Sequence, residues 1–309
     1  MKTLVVLLGP TAVGKTELSL SLAERLGCPI INCDSRQLFA DLKIGTAAPT
    51  EAQMQRVPHY FVGTMKLDDY YSAARYETDV MKLTATLFQQ HDTLLLSGGC
   101  MMYIDAVCQG IDDIPTISEE IRTQVKTELK EKGLESLMDE LRQLDPEYST
   151  IVDPQNTRRV VHAVEVCRMT GQTYTSYRVR AHKERPFRIL KIGLNRPREE
   201  LFERINKRVD QMMEDGMMEE VKKLIAFRHC NALNTVGYKE LLHVIDGEWP
   251  LEMAVERIKK NTRVYAKKQL TWFRRDESIR WFHPDDKEHI ESYLNLTLHE
   301  NQANTTQDI

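Results

Sequence analysis

Gly9-Pro10-Thr11-Ala12-Val13-Gly14-Lys15-Thr16 constrains this chain more than any other stretch. It follows the apolar run Leu4–Leu8, too short for the hydrophobic region of a signal peptide and read with Thr3 as a buried strand, and it opens a helical pattern over Lys15–Leu26. A G-x-x-x-x-G-K-T loop between strand and helix is a phosphate cradle. Its N–H groups and the helix N-terminus face the anion, Lys15 neutralises charge, and the Thr16 hydroxyl is placed to ligate Mg2+. All eight residues, Gly9, Pro10, Thr11, Ala12, Val13, Gly14, Lys15 and Thr16, are assigned to phosphate binding on this basis.

The pattern around the loop sets the fold class. Strands at Pro29–Cys33 and Thr93–Ser97 alternate with a helix at Ser72–Gln90, and short, wholly apolar strands between helices indicate a parallel sheet covered on both faces. From Ile114 to His182 the periodicity is helical, with candidates at Ser118–Lys132, Leu134–Gln143 and Gln155–Thr170. A strand at Phe187–Leu194 then returns, followed by helices at Arg198–Asp215, Met217–Phe227 and Leu251–Arg274 and a short strand at Ile279–Phe282. The expectation is an α/β, P-loop NTPase-like core with an inserted all-helical subdomain. Its parts are core residues 1–113, insertion 114–183, core 184–284 and a C-terminal tail 285–309, polar and frayed from Leu298 on.

Composition narrows the function classes. With 309 residues, 41% hydrophobic and 28% charged, the chain is long enough for two domains and is neither a disordered tail nor a disulfide mini-protein. No apolar run approaches the roughly 20 residues needed to cross a bilayer. Six cysteines without a C-x-x-C pair fit reduced thiols in a cytoplasm. The net charge of -4 speaks against a nucleic-acid partner, but the average hides a split: residues 154–282 carry net +10 and the remainder -14. Three basic stretches make up the positive part: Arg158-Arg159; Arg178, Arg180, Lys183, Arg185 and Arg188; and Arg257 to Arg275. Each alone is a solvated face; together they point to a polyanion.

Two further loops leave the same edge of the sheet. The second strand ends in Asp34-Ser35-Arg36-Gln37, where an aspartate can serve as general base on an acceptor or simply cap a turn. The third ends in Ser97-Gly98-Gly99-Cys100 and offers no acid to assist Mg2+, which weakens an ordinary ATPase reading. A small-molecule kinase of the P-loop class remains the alternative.

These motifs, with Ile44-Gly45-Thr46-Ala47, Tyr71-Ser72-Ala73-Ala74, Arg204-Ile205-Asn206-Lys207-Arg208, Val236-Gly237-Tyr238-Lys239 and Thr262-Arg263 through Gln269-Leu270-Thr271-Trp272, closely resemble the tRNA dimethylallyltransferase (tRNA isopentenyltransferase) family in order along nearly the whole chain. The resemblance implies transfer of a dimethylallyl group from dimethylallyl diphosphate to N6 of the adenosine 3′-adjacent to the anticodon, position 37, of tRNA. The loop then holds the diphosphate leaving group and no ATP need be hydrolysed. Catalytic roles fall on Asp34 as base, with Lys15 and Arg208 on the diphosphate, and Mg2+ on Thr16. Contacts to the tRNA anticodon stem-loop fall on Asp34, Ser35, Arg36, Gln37, Cys100, Arg122, Arg158, Arg159, Val160, Val161 and His162. Cys100, Arg36 and His162 depart from the family's usual hydroxyl residue, methionine and arginine. A cytoplasmic monomer is expected.

Overall fold

Strands β1 (Thr3–Leu8), β2 (Ile30–Cys33), β3 (His59–Tyr60), β4 (Thr93–Gly98), β5 (Arg188–Leu194) and β6 (Arg280–Phe282) form one sheet, ordered β3-β2-β4-β1-β5-β6. Every pairing is parallel. The computed structural model describes residues 1–179 and 182–304. Around the sheet run α1 (Lys15–Leu26), α2 (Glu51–Arg56), α3 (Ala73–Leu87), α4 (Met101–Gln109), α5 (Glu119–Leu144), α6 (Pro146–Ile151), α7 (Thr157–Thr170), α8 (Tyr174–Tyr177), α9 (Arg198–Glu214), α10 (Met217–Lys223), α11 (Tyr238–Ile245), α12 (Leu251–Phe273) and α13 (Lys287–Asn304).

The strands are apolar because helices cover both faces. All six residues of β1 are buried, as are Leu94, Leu95 and Leu96 of β4. Each such leucine stabilises the fold by about 1.5–3 kcal/mol relative to leaving it exposed. Register fixes where the loops emerge. Leu8 pairs with Gly98 and with Gly193, and Cys33 also pairs with Gly98, so Gly9, Asp34 and Gly99 leave the sheet side by side at its carboxyl edge. A side chain at Gly98 would lie 2.0 Å from the Cys33 carbonyl oxygen, which is why glycine stands there.

A second core, built on Val209, Met212, Met217, Val221, Tyr238, Leu241 and Ile258, joins α9, α10, α11 and α12. Residues 285–309, expected as a tail, instead carry α13, whose Ile290 and Leu294 are buried in the main core. The helix runs through Asn304, beyond the point at which the polar composition suggested fraying; the residues from 305 lie outside those described.

The chain divides into two compact units, one of 1–108 with 185–309 and one of 109–184. In the second, α5, α6 and α7 pack around Val125, Leu137, Leu141, Tyr148, Val160 and Val164. Gly133 interrupts α5 at φ 80°, a left-handed conformation natural to glycine, so the two helices read on either side of it are distinct segments. Arg168 of α7 clamps Glu128 (2.9 Å) and Glu140 (2.6 Å) of α5. The two ends of the inserted stretch are fastened at its base: Lys183 N–H donates to Gln109 O (2.8 Å) within the second unit, and Arg185 Nε donates to Val107 O (2.8 Å) within the first.

Candidate active site

A cavity of about 780 Å³ opens over the carboxyl edge of the sheet in the first unit. Thr11, Ala12, Gly14, Lys15 and Thr16 of the loop line it, with Asp34 to Gln37 after β2, Gly99 after β4, and Arg204 and Arg208 of α9. Gly9, Pro10 and Val13, also assigned to phosphate binding, are buried behind the wall. Gly14 caps α1 at φ 113°, a conformation that excludes larger residues and turns the loop into the helix.

Three side chains brace this loop from outside it. Arg196, after β5, donates from Nε to Val13 O (2.8 Å) while paired with Asp285 and Glu200. Arg204 Nε donates to Ala12 O (3.0 Å). Gln269 of α12, 2% exposed, accepts from Thr11 N–H (2.9 Å) and donates to Gly99 O (2.7 Å), stitching the loop to the end of β4. The paired glycines therefore admit neighbouring protein: a side chain at Gly99 would lie 2.5 Å from Gln269 Nε2. Bracing by Arg196 and Gln269 is not legible in local sequence, because each acts on residues far away in the chain.

Lys15 Nζ donates to Gly9 O (2.9 Å) and Pro10 O (2.8 Å), folding back over its own loop. Burial, reinforced by the nearby Arg208 cation, pushes its amine down to about 7, against a smaller opposing pull from Asp34. Burial likewise lowers Arg208, again opposed by Asp34. Two partly desolvated cations and one carboxylate thus share the cavity, an arrangement that favours an anionic ligand.

Asp34 Oδ1 accepts from Arg36 N–H (2.8 Å) and Gln37 N–H (3.4 Å), so it caps the turn after β2 and lines the cavity at once. Arg36 directs Nη1 to Asn231 O (3.0 Å). Gln37 donates to Thr46 O (3.1 Å) and Ala47 O (3.0 Å), and Arg208 Nη2 also reaches Thr46 O (3.2 Å). Ser35 lines the wall; Cys100 does not, and burial raises its thiol so that it stays protonated. Tyr265 and Thr262 of α12 complete the opposite side.

The other residues assigned to RNA contact lie in the second unit. Arg158 and Arg159 are exposed on α7, while Arg122, Val161 and His162 are half-buried. His162 packs edge-on to Tyr174 and faces Glu165 at 3.7 Å. Val160 is a correction: fully buried in that unit's core, its side chain has no surface to offer. Arg185 is another, since it forms a buried pair with Glu77 (2.7 Å) and so holds the fold together; it is withdrawn from the basic surface. Arg180 lies outside the described residues.

The family model described as IPP transferase matches residues 37–276, well over half of the chain. The chain belongs to the IPP transferase family. The matched span begins just after Asp34 and takes in Arg208 and Gln269. A protein of Phocaeicola vulgatus named tRNA dimethylallyltransferase 1 is 60% identical over 96% of this chain and 99% of its own length. One of Cytophaga hutchinsonii, named tRNA dimethylallyltransferase, is 41% identical over 97% and 98%. Among solved structures, the tRNA isopentenylpyrophosphate transferase of Bacillus halodurans superposes with a TM-score of 0.72 at 32% identity, over 99% of this chain and all of that one. A eukaryotic dimethylallyltransferase shares the fold at TM-score 0.80 and 24% identity, over 99% of this chain and 80% of its own. The fold of the family is thus a P-loop-like parallel sheet. Among the described residues no helix is long and apolar enough to cross a membrane.

Proposed function

We propose that this chain is a tRNA dimethylallyltransferase, moving a dimethylallyl group from dimethylallyl diphosphate to the N6 amine of the adenosine at position 37, 3′ of the anticodon, and releasing diphosphate. The observation that carries the reading is one cavity, in a member of this family, where a phosphate loop and Arg208 face a carboxylate with a free oxygen. The kinase alternative explains neither the family match nor the basic residues of α7 and α12.

Asp34, Lys15 and Arg208 are the catalytic residues of this reading. The lone pair of an adenine amine is delocalised into the ring, so the attack needs removal of a proton as the C–N bond forms. Asp34 Oδ1 is engaged by two amides, which leaves Oδ2 to take that proton. The C–O bond to diphosphate breaks on the other side, and the growing negative charge falls to Lys15, Arg208 and the loop N–H groups. To reach Asp34 the adenosine must leave its stack, with Ser35 and Gln37 beside its edge. Arg122, Arg158, Arg159 and His162 are assigned to tRNA backbone contacts, which position RNA without reading it.

Thr16 and Asp34 line the cavity and offer hydroxyl and carboxylate oxygens, hard donors that suit Mg2+, whereas the Glu17 carboxylate is paired with Arg56 (3.3 Å). Thr16 would hold the ion, which when bound supplies charge neutralisation to the diphosphate. The chain is read as a cytoplasmic monomer.

Purified protein supplied with Mg2+, labelled dimethylallyl diphosphate and unmodified tRNA should label the RNA without ATP. Asp34→Ala should abolish labelling while tRNA affinity in filter binding stays near wild type. ATP turnover with no labelled RNA would remove the reading, and full activity in Asp34→Ala would remove the base.

A further inference from the structure

The turn from Lys43 to Ala47 forms part of the cavity wall, and one carboxylate from α10 holds its inner side. Glu220 Oε2 accepts from Lys43 N–H (3.1 Å) and Ile44 N–H (2.8 Å); Oε1 accepts from Gly45 N–H (3.1 Å) and the Tyr238 hydroxyl (2.6 Å). A carboxylate offers about four lone-pair sites, so both oxygens are saturated. Tyr238 is fully buried, and burial together with Glu220 pushes its hydroxyl far up, which keeps it a donor. Its ring lies flush against the turn: a side chain at Gly45 would come within 2.6 Å of Tyr238 Cε2.

The outer side of the same turn carries functional groups. Thr46 O accepts from Arg208 Nη2 and Gln37 Nε2, and Ala47 O accepts a second bond from Gln37 Nε2. Donors bound on the inside and carbonyls presented on the outside belong to one short backbone segment, so displacing Glu220 moves both. We propose that Glu220 and Tyr238 are positioning residues that, through the 43–47 turn, set the Arg208 guanidinium and the Gln37 amide for the transfer reaction. This rests on the function proposed above.

The isosteric amide discriminates sharply here. In Glu220→Gln the NH2 group must face at least one backbone donor wherever it is placed, Lys43 and Ile44 N–H at one position or Gly45 N–H at the other, where the Tyr238 hydroxyl can turn to accept, while size and packing are kept. Single-turnover rates and KM values for dimethylallyl diphosphate and tRNA, pyrophosphate calorimetry and melting temperatures are measured on the full chain. Glu220→Gln is expected to slow transfer about tenfold or more and to weaken pyrophosphate binding about fivefold, with tRNA KM unchanged within about twofold. In an Arg208→Ala background the same change should cost less than about threefold, because its main route of action is already gone. Equal cost in both backgrounds, or a lowered melting temperature with an unchanged rate, would overturn the proposal. If Glu220→Gln does not fold, Tyr238→Phe decides: a rate loss of about threefold that vanishes in Arg208→Ala supports it, and a loss equal in both overturns it. A wild type that binds pyrophosphate yet never labels tRNA would instead refute the proposed function, and the pyrophosphate arm would still test the positioning.

Discussion

Lys15 shows how a motif residue acquires its chemistry from its surroundings. The sequence assigns it to phosphate, and the structure adds that its amine, near 7 when burial and Arg208 act on it, titrates in the physiological range. An anion beside it favours the charged form and raises the pKa again, so binding above pH 7 must take up a proton. Pyrophosphate calorimetry at pH 8, in buffers of different ionisation enthalpy, should show uptake approaching one proton beyond that of Lys15→Met, and affinity should fall as pH rises from 7 to 9. Equal uptake by the two proteins would show that Lys15 keeps its charge throughout. Asp34 carries the same lesson in another form: capping a turn and the proposed role as base, set against each other from sequence, are compatible, because the cap occupies a single oxygen.

At the level of elements, α12 does more than present a basic face. Its Gln269 fills a gap between the phosphate loop and β4, and Trp272 Nε1 donates to Asp105 of α4 (2.8 Å). Gln269→Leu would strand the Thr11 N–H and the Gly99 carbonyl away from partners, at a cost of about 1–3 kcal/mol for each group. Urea unfolding should register a loss of about 2 kcal/mol or more, with a fall in transfer rate; an unchanged midpoint would show that water replaces the amide. The long elements were legible because their periodicity is strong. The sequence reading places β1 and α1 at their observed bounds and α9 and α12 within a residue of theirs, and it splits α5 at Gly133. Short elements escaped it: β3 has two residues, and α11 follows a glycine turn with only eight. Even α13 was missed, although Ile290, Tyr293, Leu294 and Leu298 recur at helical spacing and pack on the main core, because the polar composition around them outweighed that pattern in the reading. The residues at the site follow the same division. The loop and Asp34 stand in local motifs, whereas Arg196, Glu220 and Gln269 act across long sequence separations that no local pattern records.

For the whole molecule, the division of charge matters more than its sum. Residues 154–282 hold net +10 in a chain of net -4, and part of that positive charge is already paired, Arg185 with Glu77 in the interior and Lys259 with Asp210 at the surface. Arg158 and Arg159 are exposed. Neutralising both as Arg158→Gln with Arg159→Gln should flatten the slope of log affinity for tRNA against log salt by about 1–2, as filter binding would measure; an unaltered slope would place the phosphate contacts elsewhere. The fastened base of the 109–184 unit has a consequence of a different kind. Since Lys183 meets Gln109 and Arg185 meets Val107, the chain returns beside the end of α4 from which it departed, and the core senses only a closed loop. Loop-closure entropy grows with the logarithm of length, so doubling such an insertion costs about 0.6 kcal/mol, less than losing one buried leucine. Evolution can therefore lengthen, shorten or exchange the inserted unit at little cost to the folding of the core, and on the function proposed above the RNA contacts assigned to that unit can vary without retuning the chemistry.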